Sequence, residues 1–237
     1  MRANHGKGGP AAARQGGRLL VALLVVTSAA CGHPPPPPAT GAPTTDAPTV
    51  VVVSIDTIRA DRVGCYGRRD AGTPSIDRLA AEGTVFTAAR TAAPLTLPAH
   101  ASILTGRSLP AHGVFNNGTF ALSPVVPTLA EQFARAGYAT GAFVSAPVLA
   151  RRYGLARGFD VYDDVVVPRR ASPIAHAEER PGAETARLAL DWIRACGSRP
   201  VFVFVHFFEP HRPYSPPPEV AERFPSDPYQ GEIATAD

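Results

Sequence analysis

The segment Thr96-Leu97-Pro98-Ala99-His100 sets a hydroxyl two residues before a proline and an imidazole one helical turn further on. Proline is preorganised for a first helical turn, so the pattern predicts a helix over Pro98–Thr105, closed by Gly106. Thr96 then has two readings. It caps the helix by accepting from a backbone amide, or it is a nucleophile for a phosphorus or sulfur centre whose oxyanion the same amides hold. His100 either faces that ligand or is a structural histidine. Asp56 ends an apolar run, where its carboxylate is a hard oxygen ligand for a divalent cation or simply caps a loop. A metal shared with Thr96 would lower the hydroxyl pKa and activate it. In the stretch His206 to Tyr214, His211 is braced by Pro210 and Pro213, which suits a preorganised contact to an anion. Glu209 reads as a metal ligand or as the group that orients His211. His206 reads as a core residue with its polar atoms satisfied internally, and Arg59 and Asp61 as a solvent-side pair.

The elements that would position these groups alternate. Thr49–Asp56 is a continuous β-branched run, the pattern of a strand buried on both faces of a parallel sheet. Tyr138–Ala146 and Pro200–Phe208 read as two further strands, and Thr84–Ala89 as a short one. Helices are predicted after Thr73 as N-cap with Pro74 first and Gly83 as stop, within Pro127–Gly137, and within Ala183–Gly197, where Leu188 stacks with Trp192 and Ala189 with Ile193. Strands alternating with helices predict an α/β fold with a mostly parallel central sheet flanked by helices. In such folds ligands gather at the carboxyl ends of strands, where both Asp56 and the His206–His211 cluster fall.

Charge excludes one class of partner. Of 23 cations, Arg2, Lys7, Arg14 and Arg18 precede Asp46, leaving 19 against 20 anions in the remainder, so no nucleic-acid footprint exists. The basic start, the apolar run Leu19–Val26 and the small residues before Cys31 describe an export signal, and their arrangement resembles a bacterial lipobox with Cys31 as the lipid-bearing residue. Residues 1–31 are therefore expected to be a signal peptide, 32–48 a proline-rich tether and 49–237 the folded domain. The product would be exported to the bacterial envelope, held at the membrane by a lipid or released to the periplasm. Cys65 and Cys196 are either a disulfide or two unpaired buried thiols.

Seven segments occur in order: VVVVSIDTIRADRVGCYG, GTPSIDRLAAEGTVFTAA, APLTLPAHASILTG, AHGVFNNGT, TLAEQFARAGYATGAFVS, RGFDVYDD and FVHFFEPHRPY. Together they resemble the N-terminal half of the sulfatase family, within the alkaline phosphatase superfamily, over Thr49 to Asp237. The resemblance implies an alkaline phosphatase-like sandwich and a metal-dependent enzyme for sulfate or phosphate esters of a small molecule, glycan or lipid. By it Asp56 stands at the family's first metal-binding aspartate. Thr96 stands at the nucleophile, which is also a metal ligand, and His100 at the arginine that follows it in true sulfatases. His211 stands at a histidine that contacts the substrate's oxyanion. The implied cation is calcium, or zinc or manganese if the substrate is a phosphate.

The departures matter equally. Sulfatases carry Cys or Ser in C/S-x-P-x-R and oxidise it to formylglycine. Threonine's extra methyl would give a ketone, so no formylglycine is expected and the geminal-diol route to sulfate release is closed. Thr96 instead resembles the nucleophile of phosphodiesterases and of phosphoethanolamine or phosphoglycerol transferases. The paired aspartates become Asp56-Thr57, and Lys7 is the only lysine in the chain, so the family's active-site lysine has no counterpart. After His211 only Asp227 and Asp237 remain, neither followed by His or Asn, so the pair that closes the family's metal site is not supplied. These gaps predict a truncated domain, with a complementary chain as a candidate partner, and a non-catalytic envelope lipoprotein as the competing reading.

Overall fold

The computed structural model describes residues 47–168 and 178–237; the export signal, Cys31 and nearly all of the tether lie outside the described residues. In chain order the elements are β1 (Val50–Ile55), α1 (Pro74–Glu82), α2 (Thr96–Thr105), α3 (Leu109–His112), α4 (Leu129–Arg135), β2 (Ala139–Val144), β3 (Val161–Asp163), β4 (Val167–Pro168), β5 (Glu178–Glu179), α5 (Gly182–Ala195), β6 (Val201–Phe207), α6 (Pro218–Ala221) and α7 (Pro228–Ala236). Four strands form a sheet in the order β1-β6-β2-β3, all parallel, and β4 pairs with β5 in a separate antiparallel ribbon. Among the described residues no helix is long and apolar enough to cross a membrane.

The α/β sandwich expected from the alternating elements is the fold observed. Alternate residues of β6 and β2 serve two cores. Phe204, Ala142 and Val144 pack with Leu97, Ala101 and Leu104 of α2 on one face. Phe143, Val203 and Val205 pack with Ala189 on the other, beneath Leu188, Trp192 and Ile193 of α5. A strand sandwiched this way is hidden from water at every position, and every residue of β2 is buried.

Three expectations differ. β1 is an edge strand among the described residues, and α5 does not cover its outer face, so Val51 and Val53 are 49% and 54% exposed. Thr84–Ala89 forms no strand, because no neighbouring strand offers it a ladder; Phe86 is exposed, and only its carbonyl is held, by the Tyr66 hydroxyl. Thr73 does not cap α1. Its hydroxyl accepts from the Gly64 amide and faces Asp77, while the Asp237 carboxylate accepts from the Ser75 and Ile76 amides at 2.9 and 2.8 Å. A carboxylate is the stronger acceptor at a helix N-terminus. Cys65 and Cys196 are free thiols, each half-buried.

The core on the α2 face is pinned through the turn before β3, whose Leu155, Ala156 and Phe159 pack into it. Thr128 closes a reciprocal capping box with Glu131 at the start of α4 and also donates to the Arg157 carbonyl at 2.9 Å. Thr140 of β2 donates to the Gly158 carbonyl at 2.8 Å. Gly158 itself sits at φ +85°, and a Cβ there would lie 2.2 Å from the Glu131 amide nitrogen. Gly158→Ala therefore meets both a left-handed backbone and an immovable one, and is expected to cost about 2–4 kcal/mol. Urea unfolding of the variant measures this; a loss below 1 kcal/mol would contradict the packing described.

Candidate active site

Parallel pairing sets the site. In register, Ser54 of β1 lies opposite His206 of β6, which lies opposite Val144 of β2. Asp56 follows directly, its amide bonded to the Phe207 carbonyl at 3.0 Å, so its side chain leaves the carboxyl end of the sheet. There it lines a cleft of about 370 Å³ together with Thr57, Leu95, Thr96, His100, Asn117 and His211. Asp56, Thr96, His100 and His211, distant in sequence, share this one cleft.

Thr96 is the first residue of α2, so the helix begins two residues earlier than the proline pattern predicts. Its hydroxyl does not cap. It donates to Asp56 Oδ2 at 3.0 Å, and the Leu97 amide that a cap would satisfy is taken by Asn117 Oδ1 at 2.9 Å. That bond also removes one of the amides expected to hold an oxyanion. Asn117 comes from the loop after α3, within a stretch whose asparagines and glycine signal only a turn.

His100 is buried. Its Nδ1 lies 2.7 Å from the Thr96 carbonyl and its Nε2 2.8 Å from Ser54 Oγ. A carbonyl only accepts, so Nδ1 carries the proton and Nε2 receives the serine hydroxyl. His206 is wholly buried against the edge of the His100 ring, with centroids 4.9 Å apart. Its ring nitrogens have no hydrogen-bond partner, contrary to the expectation of internal satisfaction: its neighbours across the ladder are Ser54, already committed to His100, and apolar Val144. Nε2 lies 3.7 Å from Asp56 Oδ2, beyond hydrogen-bond reach.

Glu209 neither orients His211 nor enters the cleft. Its Oε1 accepts from the Gly182 amide at 2.9 Å, placing the carboxylate at the N-terminus of α5. His211 stacks on Phe208 and its Nδ1 donates to the Arg212 carbonyl at 2.7 Å, which leaves Nε2 for the cleft. Arg59 and Asp61 form the expected pair, both exposed, a contact of little energetic weight. Thr57 takes φ +54° and is the only described non-glycine residue with positive φ, a costly state for a β-branched side chain. It is held from outside: the Tyr229 hydroxyl of α7 donates to the Thr57 carbonyl at 2.8 Å and accepts from the Arg59 amide.

Among the described residues no three of His, Cys, Asp and Glu converge to hold a metal ion. The cleft does offer two hard oxygen donors, Asp56 Oδ2 and Thr96 Oγ1, with the orphaned nitrogen of His206 beside them. An unpartnered buried polar atom at such a place fits part of a cation's coordination sphere.

Charge balance in the cluster is set by burial and neighbours. Burial opposes ionisation of Asp56, but His206 and the Thr96 hydroxyl outweigh it and hold the carboxyl below its ordinary value. That contribution to stability is lost only as pH falls below about 4. Burial, reinforced by His206, pushes His100 down to about 4 from 6.5. The unfolded chain therefore takes up this proton first, and stability, complete above pH 6.5, is expected to fall by roughly 3 kcal/mol between pH 6.5 and 4. Urea unfolding across that range, compared with His100→Gln, should reveal a flatter profile in the variant; equal slopes would contradict a buried neutral imidazole.

The sulfatase family profile matches residues 48–236. Steryl-sulfatase of Mus musculus is 36% identical over 112 residues, covering 43% of this chain and 18% of its own length. Arylsulfatase of Clostridium perfringens is 37% identical over 93 residues, covering 39% of this chain and 19% of its own. Among solved structures, phosphonate monoester hydrolase of Agrobacterium radiobacter superposes with a TM-score of 0.58 at 26% identity, over 74% of this chain and 44% of its own. The aligned region thus spans less than a fifth of these curated relatives and less than half of that structure. With nearly all of its described part matched, the chain belongs to the sulfatase family.

Proposed function

We propose that this chain carries the nucleophile half of a metal-dependent hydrolase of sulfate or phosphate esters, with Thr96 as the attacking residue. The observation that supports the reading is the 3.0 Å bond from the Thr96 hydroxyl to Asp56 Oδ2, which commits that hydroxyl to a carboxylate in the cleft and frees it from helix capping. Members of the sulfatase family generally use a divalent metal. Here Asp56 and Thr96 would hold it, and when bound it would lower the hydroxyl pKa and offset charge on the substrate.

The residues of the chain supply the rest. Asp56 Oδ2 fixes the direction of the Thr96 proton and turns an oxygen lone pair toward the cleft. Attack forms an Oγ–phosphorus or Oγ–sulfur bond while the hydroxyl proton departs past Asp56 Oδ2 to solvent and the ester oxygen leaves, taking a proton from solvent to become the alcohol. Water then cleaves the new bond, which releases the inorganic acid and restores the threonine. His211 donates to a non-bridging oxygen through Nε2 in its protonated form, since Nδ1 is spent on Arg212. His100, tied at both nitrogens, braces the first turn of α2 and makes no substrate contact.

A phosphate ester, as in a phosphodiesterase or in a phosphoethanolamine- or phosphoglycerol-type transferase, is the second reading. Thr96 favours it, because a threonine cannot become formylglycine, and the likeness to a phosphonate monoester hydrolase lends support. On either reading, the leading segment through Cys31 supports a bacterial-envelope location, lipid-anchored or periplasmic.

Assays of the purified 237-residue chain on paired aryl sulfate and phosphate diester substrates, with and without divalent cations, test this. Thr96→Ala is expected to lower turnover at least about 1,000-fold without changing the melting temperature. Turnover near the unmodified level in the variant removes Thr96 from the role. Absence of turnover in the unmodified chain favours a non-catalytic envelope lipoprotein or the need for a complementary chain.

A further inference from the structure

We propose that His206 Nε2 is a third ligand of the cation at Asp56 and Thr96, and that this nitrogen makes the site select zinc over calcium. The inference rests on the reading of the cleft as a cation site. It goes beyond that reading by assigning a residue and an ion.

The argument starts from an unmet demand. One nitrogen of a neutral imidazole must carry a proton and the other a lone pair. Neither nitrogen of His206 has a hydrogen-bond partner, although the side chain is wholly buried and its Nε2 faces the Asp56 carboxylate. Such a group destabilises the fold unless something absent from the chain meets it, such as an ordered water or an ion. Geometry excludes a direct pairing with Asp56. A histidine recruited to hold the carboxylate would sit at hydrogen-bond distance, about 2.7–3.2 Å from Asp56 Oδ2. The observed separation is 3.7 Å. Two ligands each about 2.0–2.2 Å from a shared zinc lie roughly 3–4 Å apart. Asp56 Oδ2 to His206 Nε2 at 3.7 Å and to Thr96 Oγ1 at 3.0 Å both fall in that range without movement of any residue.

The neighbouring imidazole explains why the ring stays aimed there. His100 spends both nitrogens on Ser54 and the Thr96 carbonyl, so it is not a ligand. Its ring instead stands edge-on against His206, with centroids 4.9 Å apart, and so packs that ring in place. Nδ1 of His206 is unpartnered under either explanation and does not discriminate. The ligand set of one carboxylate, one hydroxyl and one imidazole contains only two residues of the kinds that most often bind metals, in keeping with the absence of any three-residue cluster among the described residues. Calcium takes six to eight oxygens and gains little from an imidazole, whereas zinc accepts nitrogen and oxygen together at low coordination number.

Isothermal titration of the purified chain with zinc and, separately, with calcium tests the assignment without reference to turnover. The unmodified chain is expected to bind zinc at least about 100-fold more tightly than calcium. His206→Phe keeps a ring and removes both nitrogens; zinc affinity is expected to drop by about 10- to 100-fold or more while calcium binding is unchanged. Its metal-free melting temperature, expected at or above that of the unmodified chain, reports that it folds. His206→Asn is the second variant: its amide replaces a hydrogen bond to water but not a ring-nitrogen ligand, so a loss of zinc affinity here too supports the metal role. Unchanged zinc affinity in either folded variant overturns the proposal, as does a preference for calcium in the unmodified chain. Asp56→Asn separates the two levels. If it leaves both ions bound as before, the cleft is not the cation site at all; if it weakens both while His206→Phe weakens neither, only the role of His206 fails.

Discussion

Because β6 runs parallel between β1 and β2, the ladder that holds the sheet together also decides which polar groups meet. Ser54 and His206 face each other across it, Asp56 emerges one step beyond, and the loop that carries His211 leaves from the same end. A shift of β6 by one residue would turn His206 to the α5 face and put Val205 or Phe207 beside Ser54, since side chains alternate along a strand. The register is secured by aromatic burial: Phe202 and Phe204 are wholly buried on one face, with Val203 and Val205 on the other. The chemistry of the cleft is therefore a by-product of how β6 packs.

On this frame the helix α2 does two jobs. Leu97, Ala101 and Leu104 anchor it to the sheet, and Thr96 and His100 extend from the same turn into the polar end. Asn117 satisfies the amide at Leu97 from outside, and Thr96, already inside the first turn, turns its hydroxyl to Asp56.

Much of this was legible before any coordinates. The β-branched run of β1, the apolar run of β6 and the Pro-led helices announced an α/β sheet, and the strand-end rule pointed to Asp56 and His211 together. What escaped the sequence were choices between equivalent local partners. Thr73 and Asp237 are both fit to cap α1, and only the fold brings Asp237 within reach across the whole chain. Glu209 looks like a ligand beside two histidines until α5 presents an amide to it. His206 in an apolar strand resembles any core histidine; that its neighbours are already engaged is a fact about Ser54 and His100 that no window around residue 206 contains. The exposure of Val51 and Val53 was hidden for the same reason, as a β-branched run does not say where a sheet stops.

Thr57 carries a consequence for how this surface tolerates change. Its backbone sits where threonine is ill suited, and the clasp from Tyr229 is what a distant helix contributes to keep it there. Residues usually regarded as disruptive, glycine and asparagine, are at ease in that conformation, so the customary ranking of substitutions is inverted at this one position. The rim of the cleft is thus a spring under tension, with its latch on α7 rather than in the cleft.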